Sequence, residues 1–198
     1  MSGIKSLYNF DKKIVLASQS PRRKKLLEQI ELDFEIIVSN VEEDISGDFP
    51  PEVICCSIAL DKARDVAQRL TDPSIVIGAD TIVVLNDRVL GKPDSEQEAA
   101  EMLRALSGNS HYVYTGLAFI DTTTGAEKTV YEKTKVEFRE LTDKEIHSYI
   151  ETGSPMDKAG AYGIQDDFGA VFVSRIEGCY YNVVGLPLQL FFKVLMSF

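Results

Sequence analysis

Apolar positions along the chain follow two periods, one near two residues and one near 3.6, and the switches between them predict alternating strands and helices. The unbroken apolar run at 14–17 predicts a short buried strand. Ser20-Pro21 then predicts a helix start, with Ser20 as N-cap and Pro21 in the first helical position, and the helix runs to Gln29. Residues 34–38 predict a second strand and 39–51 an acidic, turn-rich loop. Residues 52–70 predict a long amphipathic helix with Ile58, Ala59, Ala63, Val66, Ala67 and Leu70 on one face. A buried strand at 75–79 follows, and 82–85 with 88–90 predict a hairpin turning at Asn86-Asp87.

Ser95 and Glu98 form a capping-box pattern for a helix to Leu106, which Gly108 stops. Residues 112–121 and 128–140 predict two long strands joined by a Thr/Gly turn. Thr142 and Glu145 cap a helix to Thr152, 155–169 read as a Gly- and Asp-rich loop, 171–176 as a strand and 186–195 as a final helix. Strands and helices alternate while the long hairpin is antiparallel, so the expected fold class is α/β with a mixed sheet.

With 198 residues, 44% of them hydrophobic and 26% charged, the chain suits one domain with a single core. Residues 1–13 are polar and lack the apolar stretch of a secretory signal, and no run is long enough for a membrane span, so no membrane partner is expected. Cys55 and Cys56 are adjacent and Cys179 is distant, with no metal-type spacing, which predicts free thiols in a reducing, cytoplasmic compartment. Cys55 and Cys56 fall in an apolar helix segment and read as core. A net charge of −10 argues against a nucleic acid polymer as partner. Within that acidic background Arg22, Arg23, Lys24 and Lys25 stand together, which points to a small anionic ligand.

Those four cations also break a local rule, because the positive end of the helix dipole disfavours them. A bound anion reverses the penalty, and helix N-termini are ready phosphate sites. Lys24 and Lys25 read as splayed into water, Arg22 and Arg23 as anion ligands. Asp80 closes the 75–79 run where open α/β sheets place their ligands, and it reads equally as a turn or capping residue. Glu42, Glu43 and Asp44 read first as a solvated surface, although one of them could ligate a hard cation. Lys62 sits among the apolar positions of the long helix, and Lys92 lies between Gly91 and Pro93; isolated lysines are ordinarily surface residues. Gln165 ends a Gly-rich loop. His111 and His147 are isolated, and neither a Walker loop nor a dinucleotide fingerprint is present.

Taken together, these segments resemble the Maf family of nucleotide pyrophosphatases. The matching pieces are Leu16-Ala17-Ser18-Gln19-Ser20-Pro21-Arg22-Arg23, Val41-Glu42-Glu43, Leu60-Asp61-Lys62-Ala63, Gly78-Ala79-Asp80-Thr81, Gly91-Lys92-Pro93, Tyr114-Thr115-Gly116, the stretch from Asp157 and Lys158 to Gln165, and Asn182-Val183-Val184-Gly185-Leu186-Pro187. They occur in the family's order and leave only 1–12 outside, as a short extension before a single domain at 13–198. Gln19 departs from the family's small residue at that position.

The resemblance implies an elongated mixed β-sheet flanked by helices, with two lobes around a deep substrate cleft. It implies a small nucleoside triphosphate as substrate, a homodimer, and a divalent metal cation, Mg²⁺ with Mn²⁺ or Co²⁺ as alternatives. Thr81 after Asp80, together with Tyr162-Gly163-Ile164-Gln165, resembles the branch acting on dTTP and UTP rather than the one preferring 7-methyl-GTP. In that reading Arg22, Lys62 and Lys92 neutralise phosphate oxygens and Ser18 hydrogen-bonds to them. Glu43 and Asp80 hold the metal, and Asp80 is the base for a water attacking the α-phosphate. Thr81 and Gln165 bind substrate, as does Arg23, at a phosphate or at the base or ribose. Two other readings are a pyrophosphatase for deaminated purine nucleotides on a similar fold and a non-enzymatic regulator of cell division.

Overall fold

The computed structural model describes residues 11–43, 49–165 and 168–198. Most of the N-terminal extension and Asp44 of the acidic loop lie outside the described residues.

Strand β1 (Lys13–Ala17) lies between β2 (Glu35–Ile36) and β3 (Ser74–Leu85) and runs parallel to both. β3 turns through Asn86 and Asp87 into antiparallel β4 (Arg88–Leu90). Both turn residues have positive φ, 49° and 61°, as a two-residue hairpin of matching twist requires. β5 (Ser110–Asp121), β6 (Glu127–Phe138) and β7 (Val173–Glu177) extend the sheet antiparallel from the other edge of β3. The described strands thus form one mixed sheet in the order β2-β1-β3-β5-β6-β7, with β4 on β3.

Period-two alternation gives this sheet two apolar faces. Ile14, Leu16, Ile75, Ile77 and Ala79 face the larger core. That core also takes in α1 (Pro21–Gln29), α3 (Glu96–Leu106), α4 (Asp143–Ile150), α5 (Tyr180–Val184) and α6 (Leu188–Leu195). Val15, Ala17 and Val76 face α2 (Pro51–Ala67) through Ala59, Ala63 and Val66. Two glycines let α2 settle on the strands. A Cβ on Gly78 would stand 1.9 Å from the Ala59 carbonyl oxygen, and one on Gly116 would stand 2.4 Å from that of Cys55. The helix backbone therefore rests on bare strand backbone, which brings the α2 side chains close to β3.

Several boundaries depart from the sequence expectations. β3 does not end at Ala79 but runs unbroken through Asp80 to Leu85, because β5 pairs with it along most of that length. The strand expected at 34–38 pairs only at Glu35 and Ile36. Beyond it the chain is drawn toward α2, where Asp65 accepts from the Asn40 backbone N–H and Arg69 donates to the Val38 carbonyl. The Ser95 hydroxyl accepts from the Glu98 backbone, but the Glu98 carboxylate caps Asp94 rather than Ser95. The box at Thr142 and Glu145 closes in both directions. Gly185, at φ 117°, separates α5 from α6, so the single final helix expected at 186–195 starts later, at Leu188, and is preceded by a short one.

Candidate active site

Pairing between β1 and β3 stops at Ala17 and Gly78, and β4 does not join β3 until Val83. Among the described residues, 79–82 therefore have no strand partner on that side, although β5 backs them on the other. A cleft of about 350 Å³ opens at this gap. Asp80 lies at the end of the parallel pairing, in mid-strand, rather than at the carboxyl end of its strand.

The chain leaving β1 forms one wall. Ser20 caps α1 by accepting from the Arg23 backbone N–H at 3.4 Å, and Ser18 Oγ accepts from the Ser20 backbone N–H at 3.2 Å. This caps the helix as the Ser20-Pro21 pattern predicts, and its first turn carries no acidic residue.

Lys62 reaches down from α2 to the floor. Its buried ammonium donates to Asp80 Oδ1 and to Glu43 Oε1, both at 2.7 Å, and Lys92 donates to Glu43 Oε2 at 2.9 Å. Two carboxylates around one buried ammonium offset the cost of taking these charges out of water. Burial by itself would raise the Glu43 pKa, but hydrogen bonds and charge from Lys62 and then Lys92 bring it down to about 2. Lys62 is therefore a buried, paired cation and not the surface lysine that its type suggests.

Arg23 is buried on the opposite face of the sheet and bonded to neutral acceptors. It donates to the Gly185 carbonyl at 2.9 Å, to Ser18 Oγ at 3.0 Å and to Thr81 Oγ1 at 3.1 Å. Burial lowers its pKa, opposed by the charges of Asp80 and Glu43. Thr81 Oγ1 lies 2.9 Å from Thr115 Oγ1, and Thr115 donates onward to the Asn182 carbonyl at 3.1 Å. The hydroxyl hydrogen of Thr81 is thereby directed to Thr115, leaving its oxygen to accept from Arg23.

At the outer wall Arg22 pairs with Asp157, NH1 to Oδ2 at 2.8 Å. Lys24 and Lys25 are exposed, as expected, and Lys24 stands 3.7 Å from Glu28 one turn on. Ser18, Arg22, Arg23, Glu43, Lys62, Asp80, Thr81, Lys92 and Gln165 all line this one cleft. Asp157, Lys158 and Tyr162 also line it; the sequence gives Tyr162 a place only in the Tyr162–Gln165 branch motif, and Asp157 and Lys158 no site role. The signal available for them was the Asp157–Gln165 motif, within a stretch that otherwise reads as a Gly- and Asp-rich loop. His111 lies behind Tyr162, buried, with Nε2 2.7 Å from the tyrosine hydroxyl. Five cations against three carboxylates leave the lining with two excess positive charges, on a chain of net charge −10.

Glu43 and Asp80 converge on one point, now taken by the Lys62 ammonium. Such a donor pair suits a hard cation like Mg²⁺, which is commonly held by one or two carboxylates and otherwise by waters and substrate phosphates. Among the described residues no group of three or more His, Cys, Asp or Glu side chains is placed to hold a metal ion. The cysteines are all free, and no described helix is long and apolar enough to cross a membrane.

Fold and cleft define a mixed α/β protein whose charged site opens where a parallel strand stops short. The chain belongs to the Maf-like protein family, whose model matches residues 13–198. It is 53% identical over 189 residues to a dTTP/UTP pyrophosphatase of Bacillus cereus (strain G9842), covering 94% of this chain and 96% of that protein. A dTTP/UTP pyrophosphatase of Clostridium perfringens (strain SM101 / Type A) is 49% identical over 189 residues, covering 94% of this chain and 97% of that protein. Among solved structures, a HAM1 protein from Coxiella burnetii superposes with a TM-score of 0.45 at 20% identity, covering 64% of this chain and 73% of that one.

Proposed function

We propose that this protein is a nucleoside triphosphate pyrophosphatase that hydrolyses dTTP and UTP to the nucleoside monophosphate and pyrophosphate. The carrying observation is the Glu43–Lys62–Asp80 cluster at the floor of a cleft with excess positive charge. The names of relatives 53% and 49% identical over nearly the whole chain support the same reading.

Water attacks the α-phosphorus and gives a proton to Asp80, the bond from that phosphorus to the bridging oxygen breaks, and pyrophosphate leaves with the electron pair. Lys62 donates to both Asp80 and Glu43, so its ammonium orients the Asp80 carboxylate and neutralises phosphate oxygens brought beside it. Arg22, Lys92 and Ser18 hold phosphate oxygens, and the Arg22 backbone N–H at the start of α1 adds to them. Glu43 and Asp80 would hold a divalent cation, Mg²⁺ or alternatively Mn²⁺ or Co²⁺, which supplies charge neutralisation at the α-phosphate. Arg23 and Thr81 act as one hydrogen-bonded unit on the side of the cleft toward α5, and Gln165 reads the base. The same reading takes 13–198 as one catalytic domain acting as a cytoplasmic homodimer.

The test is a panel of dTTP, UTP, dCTP, CTP, ITP and 7-methyl-GTP, with Mg²⁺ and with a chelator, read by pyrophosphate release. Turnover is expected with Mg²⁺ for dTTP and UTP. Uracil and thymine present an N3–H donor beside an O4 acceptor, the reverse of cytosine, and a locked carboxamide matches only one pattern. Gln165→Glu is therefore expected to lower the UTP to CTP ratio of kcat/KM. Equal use of UTP and CTP by the unaltered protein defeats the pyrimidine assignment, and absence of pyrophosphate release defeats the enzyme.

A further inference from the structure

Arg22 lines the cleft from the first turn of α1, and it is held from across the cleft by a residue 135 positions away. Its guanidinium meets Asp157 twice, NH1 to the carboxylate Oδ2 at 2.8 Å and NH2 to the backbone carbonyl at 3.3 Å. A planar fork bonded at two points has a defined orientation, which one contact would not give. The second carboxylate oxygen of Asp157 accepts from Lys158 at 2.8 Å. Lys158 is itself buried, and its ammonium also donates to the Ser154 carbonyl at 2.6 Å and the Ser154 hydroxyl at 3.0 Å. Gly163 packs on the lysine stem so closely that a Cβ there would stand 2.7 Å from Lys158 Cε. A further tie joins this loop to the β4 end, where the Gly160 N–H donates to the Gly91 carbonyl at 2.9 Å, next to Lys92. The loop is thus braced internally before it touches Arg22.

We propose that Asp157 is a positioning residue for Arg22, with Lys158 as its anchor, and that it fixes the guanidinium for the polyphosphate chain of the substrate. The inference rests on the pyrophosphatase reading for its substrate. Of the five donors of an arginine, two are engaged by Asp157, which leaves three for ligand oxygens among the described residues. Lys158 is spoken for by Ser154 and Asp157 and serves the wall rather than the phosphates. The opposite relation, a carboxylate that merely occupies the phosphate position until substrate displaces it, predicts the opposite sign: removing Asp157 would then tighten binding.

A double-mutant cycle separates the two. Asp157→Ala is expected to lower kcat/KM for UTP on the order of tenfold, mainly through KM, with Asp157→Asn recovering part of the loss because its amide oxygen still accepts. In an Arg22→Lys background, where no fork remains to be oriented, Asp157→Ala is expected to change kcat/KM by less than about twofold. The same loss in both backgrounds, or an Asp157→Ala protein at or above the unaltered kcat/KM, overturns the proposal. The cycle is repeated in Kd for inorganic tripolyphosphate by calorimetry, which needs no turnover. Failure of the pyrophosphatase reading shows as no pyrophosphate release by the unaltered protein, whereas failure of this inference shows as additivity in the binding cycle.

Discussion

Asp80 and Thr81 are consecutive on β3 yet serve opposite faces of the sheet: Asp80 meets Lys62 of α2 at 2.7 Å, and Thr81 meets Arg23 of α1 at 3.1 Å. The period of two in a strand forces this division, and the missing β1 partner beyond Gly78 lets one cleft reach both side chains. Carboxylate chemistry and the Arg23–Thr81 network are thereby placed side by side but built on separate layers of the fold.

Asp80→Asn is expected to cut turnover on the order of a hundredfold or more while the protein stays folded, because the amide can neither accept the water proton nor carry the charge that faces Lys62. Steady-state kinetics beside a near-ultraviolet circular dichroism spectrum is the check. A variant retaining a tenth or more of normal turnover would remove Asp80 from the chemistry.

Gly78→Ala is expected to cost about 3 kcal/mol or more of stability, since its Cβ would fall 1.9 Å from the Ala59 carbonyl oxygen and 3.0 Å from Ala63 Cβ. Lifting α2 also draws Lys62 away from Asp80, so turnover should drop with stability. Gly125→Ala is the contrast: its φ is 73° with nothing within 4 Å, so it should cost about 1 kcal/mol and spare turnover. Urea unfolding and turnover assays on both variants decide; equal costs would mean that the α2 approach is not tight.

Burial lowers the His111 pKa from the ordinary 6.5 to about 4, and among the described residues its Nδ1 has no hydrogen-bond partner. As pH falls below 6.5 the unfolded chain takes up a proton that the folded one refuses until about 4. Stability should therefore be level in this contribution above 6.5 and decline through the window down to 4, by roughly 3 kcal/mol in all. Denaturation of the unaltered protein and His111→Gln at pH 7 and pH 4.5 isolates the increment. Identical pH dependence in the two would show that His111 does not titrate differently on folding.

Much of the frame was legible because it rests on local rules. Ser20-Pro21 starts α1, Thr142 and Glu145 close their box, and Asn86-Asp87 turns its hairpin through left-handed backbone. What escaped depends on contacts distant in sequence. An aspartate reads as the end of a strand, but Asp80 stays within β3 because Lys62 offsets its burial and β5 supplies the backbone pairing. By type Lys62 belongs on the surface, and only the close seat of α2 on Gly78 and Gly116 explains its depth. The cluster of Arg22 and Arg23 reads as one group in the sequence, which does not show that the two arginines part company, one to Asp157 and the other to Ser18, Thr81 and Gly185. Asp157 and Lys158 went unassigned because nothing in their immediate neighbours announces a partner on α1.

Where β1 stops short, Asp80 and Thr81 line the cleft, and among the described residues no strand pairs with that edge of their backbone. Main-chain carbonyls survive every amino-acid replacement, and main-chain N–H groups survive every replacement except proline. This stretch of wall is therefore buffered against mutation, whereas the ring of charged side chains around it is exposed to every codon change. Variants of this protein should lose selectivity and rate readily through those side chains while keeping a residual, unselective affinity for hydrogen-bonding ligands.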